Sequence, residues 1–445
     1  MLSFEPNIVF IDDKIEQVDG IIELYRQEGI GVKYYNADLA DGDSKPQTPY
    51  SNVNLVFLDL YYQEDFEIDF CLGWLDSIIP ENSFYVLVIW SKDTHHTEEI
   101  IEGLAGINKS PFITFSETKD DSYKNEDSTF KWPELKTKID AEINNLNELK
   151  ELAVWKKSVL FSSNIIIGHL TKNILPDSLK KKLQKIILGH GGTYLLGEGN
   201  ENEKRKVLFD AIDNILSSNS KSTRPKKEIS QENKSSLYNI QGFPLTDIDS
   251  KLNSWFHFNL IKKENISPSD ISPGIISLNK LPFLKRLYSI IDDPKLNPKF
   301  NSQINSQATT IEDICVVLIR PCDYAQGKYG KNIKLLSGIK ITNPKRLKEE
   351  DLNKKQKKDK DKYIGRLDIP LNELPDSVKL FDHLYFSEEE NDATLIFDFR
   401  YVFSVPEQIF IDKFENLKLF NKELLSEIQV EYSSYSSRLG ITQII

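Results

Sequence analysis

Ile8-Val9-Phe10-Ile11-Asp12-Asp13 and Leu55-Val56-Phe57-Leu58-Asp59 decide how this chain is read. Each is a short apolar run closed by a carboxylate. Their length and their β-branched and aromatic content predict buried strands, so the acids fall at strand C-terminal ends, where open parallel sheets place their ligands. Three carboxylates at one sheet edge repel one another unless a cation sits among them, and a hard divalent ion such as Mg²⁺ takes oxygen ligands completed by water or phosphoryl oxygens. The first expectation is therefore a cation pocket formed by Asp12, Asp13 and Asp59.

Two further apolar runs extend the pattern. Residues 84–90 end in Ser91, and residues 111–115 lead to Lys119, which brings a hydroxyl and an ammonium to the same edge. Helical stretches at 17–27 and 97–104 alternate with the runs, as in a doubly wound α/β parallel sheet. This order resembles the receiver domain of bacterial response regulators over roughly residues 5–130. The resemblance implies that Asp12 and Asp13 help bind Mg²⁺ together with Asp59. It also implies that Asp59 accepts a phosphoryl group from a histidine kinase or a small phosphodonor, with Ser91 and Lys119 contacting the phosphoryl oxygens. The chain departs from that family in a bulky acidic insertion at 61–69, in Asp120 and Asp121 where a proline usually follows the lysine, and in Lys92 as a second cation beside Ser91. The alternative reading keeps the fold as a non-phosphorylated scaffold for protein partners, its acids being solvated strand ends.

At 445 residues, 39% hydrophobic and 11% aromatic, the chain can bury a core in each of two or three domains. Its three cysteines, Cys71, Cys315 and Cys322, are too few and too scattered for a disulfide framework or a closed zinc site, which predicts a reducing compartment. The N-terminal residues lack a signal-peptide pattern. No apolar run reaches the ~18 residues that span a bilayer, so no membrane contact and a cytoplasmic protein are expected. Residues 1–130 carry 8 Lys and Arg against 26 Asp and Glu, a net charge of −18 that leaves +6 for the remainder. Phosphate repulsion makes so acidic a first domain a poor nucleic-acid binder.

After residue 130 the texture changes. Trp132-Pro133-Glu134 marks a helix start, and 135–160, 177–188 and 204–216 carry helical patterns, which predicts an all-α connector at 131–220. Residues 217–234, rich in Ser, Lys and Asn, read as a solvated stretch, with the linker itself placed at 221–236. Short apolar runs between turn residues then predict a β-rich (α+β) output domain over 237–445, with strands at 255–258, 274–278, 314–319, 335–336 and 395–402. Residues 344–362 are mostly charged and read as an exposed, disordered insertion.

Outside the first domain, Arg320-Pro321-Cys322-Asp323-Tyr324 is the best candidate for chemistry. Cys322 could act as nucleophile or Asp323 as metal ligand, with His383 or His257 as base, in a hydrolase or nuclease effector regulated by the first domain. The competing reading is a tight turn fixed by Pro321 and Asp323. Gly189-His190-Gly191-Gly192 and Gly197-Glu198-Gly199 lack the Lys-Ser/Thr ending of a phosphate loop and read as an inter-helix loop. His95-His96 reads as a solvated helix start, since adjacent helical residues point ~100° apart.

Overall fold

The structure is a computed structural model. It describes residues 5–62, 65–126, 129–173, 175–192, 195, 201–223, 229, 231–241, 249–259, 265–281, 298, 301–303, 309–325, 328–367 and 375–437. The chain divides into two compact units, 1–153 with 229–237, and 154–228 with 238–445.

The first unit is built on β1 (Ile8–Asp12), α1 (Asp19–Gln27), β2 (Val32–Asn36), β3 (Leu55–Leu58), the short hairpin β4 (Tyr61–Tyr62) and β5 (Asp65–Phe66), α2 (Ile68–Ile78), β6 (Val86–Ser91), α3 (Thr97–Gly106), β7 (Ile113–Thr118) and α4 (Trp132–Asn144). The five long strands form one parallel sheet in the order β2-β1-β3-β6-β7. Alternate residues of each apolar run point to opposite faces, so each run feeds two cores. Val9, Ile11, Val56, Leu58, Leu87 and Ile89 pack with Trp74 and Leu75 of α2 and Ile100 and Leu104 of α3. Phe10, Phe57, Val88 and Trp90 face the other way, against Ile21, Ile22 and Tyr25 of α1 and Leu135 and Ile139 of α4. Helices thus cover both faces, the doubly wound arrangement expected from the sequence.

The connection at 37–54 is a turn-rich segment in which the Asp38 carboxylate accepts from Ala40 N and Asp41 N. Two details differ from the sequence expectation. The fifth strand runs later than 111–115, so Lys119 directly follows its last residue. The first unit does not end at 130, because α4 is the helix that closes the second face of the sheet.

In the second unit, α5 (Asn147–Thr171, whose first residues belong to the first unit), α6 (Pro176–Gly191) and α7 (Glu201–Ser222) make up the helical middle region. The pattern at 135–160 is not one helix, since α4 and α5 are separated at Asn145-Leu146. Helix α7 runs into the expected solvated stretch as far as Ser222, and α8 (Gln231–Ser235), which belongs to the first unit, forms later in the chain. Asn233 of α8 donates to Glu151 at 2.8 Å. Residues 224–228 and 230 of the linker, and Gly197 and Gly199, lie outside the described residues, whereas Gly189-His190-Gly191 is the last turn of α6.

The β-rich part comprises α9 (Ser250–His257), β8 (Ile275–Asn279), β9 (Thr310–Val317), α10 (Pro321–Ala325), β10 (Asn332–Thr342), β11 (Val378–Leu384), β12 (Ala393–Pro406), α11 (Glu407–Lys413), β13 (Phe414–Leu419) and α12 (Lys422–Ser436). Its six strands form an antiparallel sheet in the order β11-β12-β10-β9-β8-β13. The run 255–258 is not a strand. Asp249 caps a helix there by accepting from Leu252 N, leaving Trp255 and Phe256 62% and 70% exposed while Phe258 alone is buried. Four successive aromatics carry no periodicity with which to separate strand from helix. The charged insertion at 344–362 is ordered, with 3₁₀ turns at Glu349–Asp351 and Gln356–Lys362 and an anchor at Arg346. Among the described residues no helix is long and apolar enough to cross a membrane.

Gly20 of α1 allows α4 to dock, since a Cβ there would lie 2.0 Å from Cδ1 of Trp132. Gly20→Ala should therefore lower stability by about 1–3 kcal/mol through overpacking, although helix propensity alone favours alanine. A urea midpoint at or above that of the wild type would show that α4 is not seated on α1 in this way.

Candidate functional site

The C-terminal edge of the parallel sheet gathers Asp12, Asp13, Asp59, Ser91 and Lys119. Asp12 is the last residue of β1. Its carbonyl oxygen accepts from Ala37 N at 3.1 Å and from the Tyr34 hydroxyl at 2.8 Å, and its Oδ1 accepts from Lys14 N at 2.8 Å. Asp59 N continues the β1–β3 ladder by donating to the Ile11 carbonyl oxygen at 2.9 Å, which places the Asp59 carboxyl beside Asp12. Ser91 is the last residue of β6 and is fully buried. Its hydroxyl donates to Asp59 Oδ1 at 2.5 Å and accepts from Leu60 N at 3.3 Å. Lys119 N in turn donates to the Ser91 carbonyl oxygen at 2.8 Å.

The Lys119 side chain closes the arrangement. Its ammonium lies 2.7 Å from Asp12 Oδ2, 2.6 Å from Asp59 Oδ2 and 2.6 Å from Gln17 Oε1, so all three N–H donors are used. Asp12 is 1% and Asp59 5% exposed, while Asp13 is half-buried. The three acids each present an oxygen within 4.8 Å of the others, a grouping that can hold a metal ion. One ammonium is shared by the two buried acids of this group, and a divalent cation would add further positive charge.

This crowding is visible in the electrostatics. Burial is the largest influence on Asp12 and, despite the opposing pull of Lys119 and with the Asp59 charge adding to it, brings the pKa up from 3.8 to about 6. Carboxylates must be ionised to ligate a cation, so affinity at this edge should rise as pH passes upward through that value.

Sequence reasoning did not identify Gln17 or its support. The Trp90 indole N–H donates to the Gln17 carbonyl oxygen at 3.0 Å, fixing the 3₁₀ turn Ile15–Gln17 that presents the Gln17 amide to Lys119. Nothing in the sequence marks this contact, since Trp90 stands there only as the last residue of the apolar run 84–90. The insertion after Asp59 folds as the β4–β5 hairpin, and its Phe66 ring stacks on His96 at 3.8 Å. The Lys92 ammonium lies over the Tyr61 ring at 4.6 Å. The histidine pair is spent locally, His95 on Asp93 at 2.7 Å and His96 on Glu99 at 3.0 Å.

In the second unit the sheet topology excludes the Cys322–His383 pairing. Asp323, in the short helix α10, accepts from Arg320 Nε at 2.7 Å; the side chain of Cys322 lies outside the described residues. Cys322 follows the C-terminal end of β9. His383 belongs to the opposite end of the sheet, where Leu384 pairs with Ala393, Ala393 with Thr342 and Thr342 with Thr310. An eight-residue strand such as β9 spans about 25 Å, so His383 is no base for Cys322. His257 Nδ1 lies 2.7 Å from the Asn253 carbonyl oxygen. His383, with φ of 54°, sits instead in a half-buried ion network. There Arg346 grips Asp392 with two nitrogens at 2.6 and 2.9 Å and reaches Asp382 at 2.7 Å. Burial would raise the Asp392 pKa, but the His383 and Arg346 hydrogen bonds hold it at about 2. This network ties the charged insertion to the sheet.

No family model matches the sequence, and no curated protein matches it.

The Asp12 pKa sets a pH dependence of stability whose sign is fixed. Between pH 4 and 6 the unfolded carboxyl ionises before the folded one, so the folded state holds the extra proton and this group's contribution to stability falls as pH rises. The stability of Asp12→Asn relative to wild type should therefore increase as pH rises from about 4 to about 6 and level off above that. A difference in urea midpoints that stays flat across the window would refute the assignment.

Proposed function

We propose that the first unit is a receiver-like signalling module in which Asp59 accepts a phosphoryl group and controls the output of the second unit. The observation that carries this reading is the surrounding of the Asp59 carboxyl by an ammonium on one oxygen and a buried hydroxyl on the other, beside two more acids at one sheet edge. The strand order supports it, being that of flavodoxin-like doubly wound sheets once the hairpin is set aside.

In the reaction, an Asp59 carboxylate oxygen forms a bond to phosphorus while the bond from phosphorus to the donor breaks. The donor is a partner kinase's phosphohistidine or a small acyl phosphate, and its imidazole or carboxylate departs with the electron pair. When bound by Asp12, Asp13 and Asp59, Mg²⁺ would supply positive charge against the phosphoryl oxygens. Lys119 holds further positive charge at Asp59, 2.6 Å from its Oδ2. Ser91 must exchange its bond to Asp59 for one to a phosphoryl oxygen, and this local rearrangement is the step available for signalling.

A second reading is favoured by the burial of Asp59 and by the Phe66–His96 stack joining the loops on either side of it. In this reading the unit is a scaffold for protein partners, and Asp59→Asn leaves its activity unchanged.

Incubation with Mg²⁺ and acetyl phosphate, followed by intact-protein mass measurement, separates the two. Wild type should gain one phosphoryl group and Asp59→Asn none. A wild type that gains nothing, or a variant that gains as much, contradicts phosphorylation at Asp59.

A further inference from the structure

The second unit holds a groove of about 830 Å³ at the end of its sheet away from the Arg346 network. Its floor is the chain leaving β9, pinned to α12 by Gln429, whose Nε2 donates to the Ile319 carbonyl oxygen at 3.0 Å. Arg320, Lys328 and Lys334 line it with a single carboxylate, Asp323, so cations predominate among the described lining residues. Two acids on α12, Glu427 and Glu431, do not offset that charge, because both carboxylates are bound by Lys379 at 2.6 Å. The Arg320–Asp323 pair is 2.7 Å long but exposed on the arginine side, and exposed pairs stabilise little, so the guanidinium is available to a stronger anion. Arginine and lysine together suit phosphate, the first as a bidentate fork and the second as a point charge.

The groove also offers aromatic surface. Tyr329 lines it and stacks on Tyr324 with ring centroids 5.6 Å apart, while the Tyr432 ring lies under the Lys334 ammonium at 4.5 Å. The volume falls within the range of about 300–1,000 Å³ that small-molecule sites occupy. We propose that this groove binds a free nucleotide, with Arg320, Lys328 and Lys334 contacting its phosphates and the base placed against the Tyr329 ring. This ligand class explains both the excess of cations and the neighbouring aromatic rings. The proposal does not depend on phosphorylation of Asp59. It also gives the Arg320–Asp323 segment a binding role in place of the nucleophilic one expected from sequence.

Isothermal titration of ATP into the full-length protein, without divalent cations so that the acidic edge of the first unit takes no part, tests it. Wild type should bind one ATP saturably. Lys328→Ala/Lys334→Ala should weaken binding tenfold or more with an unchanged urea midpoint, since both lysines are exposed. Tyr329→Ala should weaken ATP binding while leaving the affinity for pyrophosphate as it was. Absence of saturable ATP binding, or equal affinity in the double-lysine variant, overturns the proposal. Pyrophosphate binding as tightly as ATP would reduce the groove to an anion site and overturn the nucleotide assignment. A single-stranded oligonucleotide that displaces ATP at lower concentration would make nucleic acid the ligand and overturn it equally.

Discussion

The Lys119 ammonium is the interaction on which the first unit's candidate site depends. Two carboxylates, Asp12 and Asp59, are carried almost completely out of water at adjacent strand ends, where a buried charge is costly unless it is paired. One side chain from the end of the neighbouring strand satisfies both, and Gln17 takes its third donor. Removing a single partner of a buried pair costs on the order of 3–5 kcal/mol, because the charge left behind is uncompensated. The site is thus held in tension: one cation serves two buried acids, and with Asp13 beside them the three present oxygens that could hold a metal ion.

That tension follows from the sheet. Parallel strands buried on both faces need continuous apolar runs, and the runs end where the backbone leaves the core, so the first polar residue after each run lands on the same edge. Asp12, Asp59 and Ser91 were legible in the sequence for this reason, because each closes a run that has no other reading. Lys119 was legible only by its order in the chain. The strand before it, 113–118, mixes Thr, Ser and Glu with two apolar residues, and its side chains are largely half-exposed, as befits an edge strand. Gln17 was not legible at all: its role depends on a tryptophan hydrogen bond across more than seventy residues of sequence.

The second unit was read less completely, for a related reason. Its long strands β10 and β12 show clear apolar runs, and those were found. The aromatic cluster at 255–258 was misread because burial of Phe258 alone, not alternation along a strand, organises it. The charged insertion looked solvated because its anchor is one arginine among many charges, and the acids that hold Arg346 lie 36 and 46 residues away. The Cys322 and His383 pairing failed on topology, since antiparallel strands carry their two ends to opposite edges. Spacing in sequence bears no trace of that separation.

The central claim is that the acidic edge of the first unit is a divalent-cation site whose charge Lys119 only partly balances. Calorimetric titration of Mg²⁺ into wild type and into Asp13→Asn/Asp59→Asn at pH 7.5, repeated at pH 5.5, tests it most directly. The account predicts one saturable site in the wild type, weaker at the lower pH and lost in the variant. Binding absent from the wild type, or unchanged by the double substitution, would contradict it.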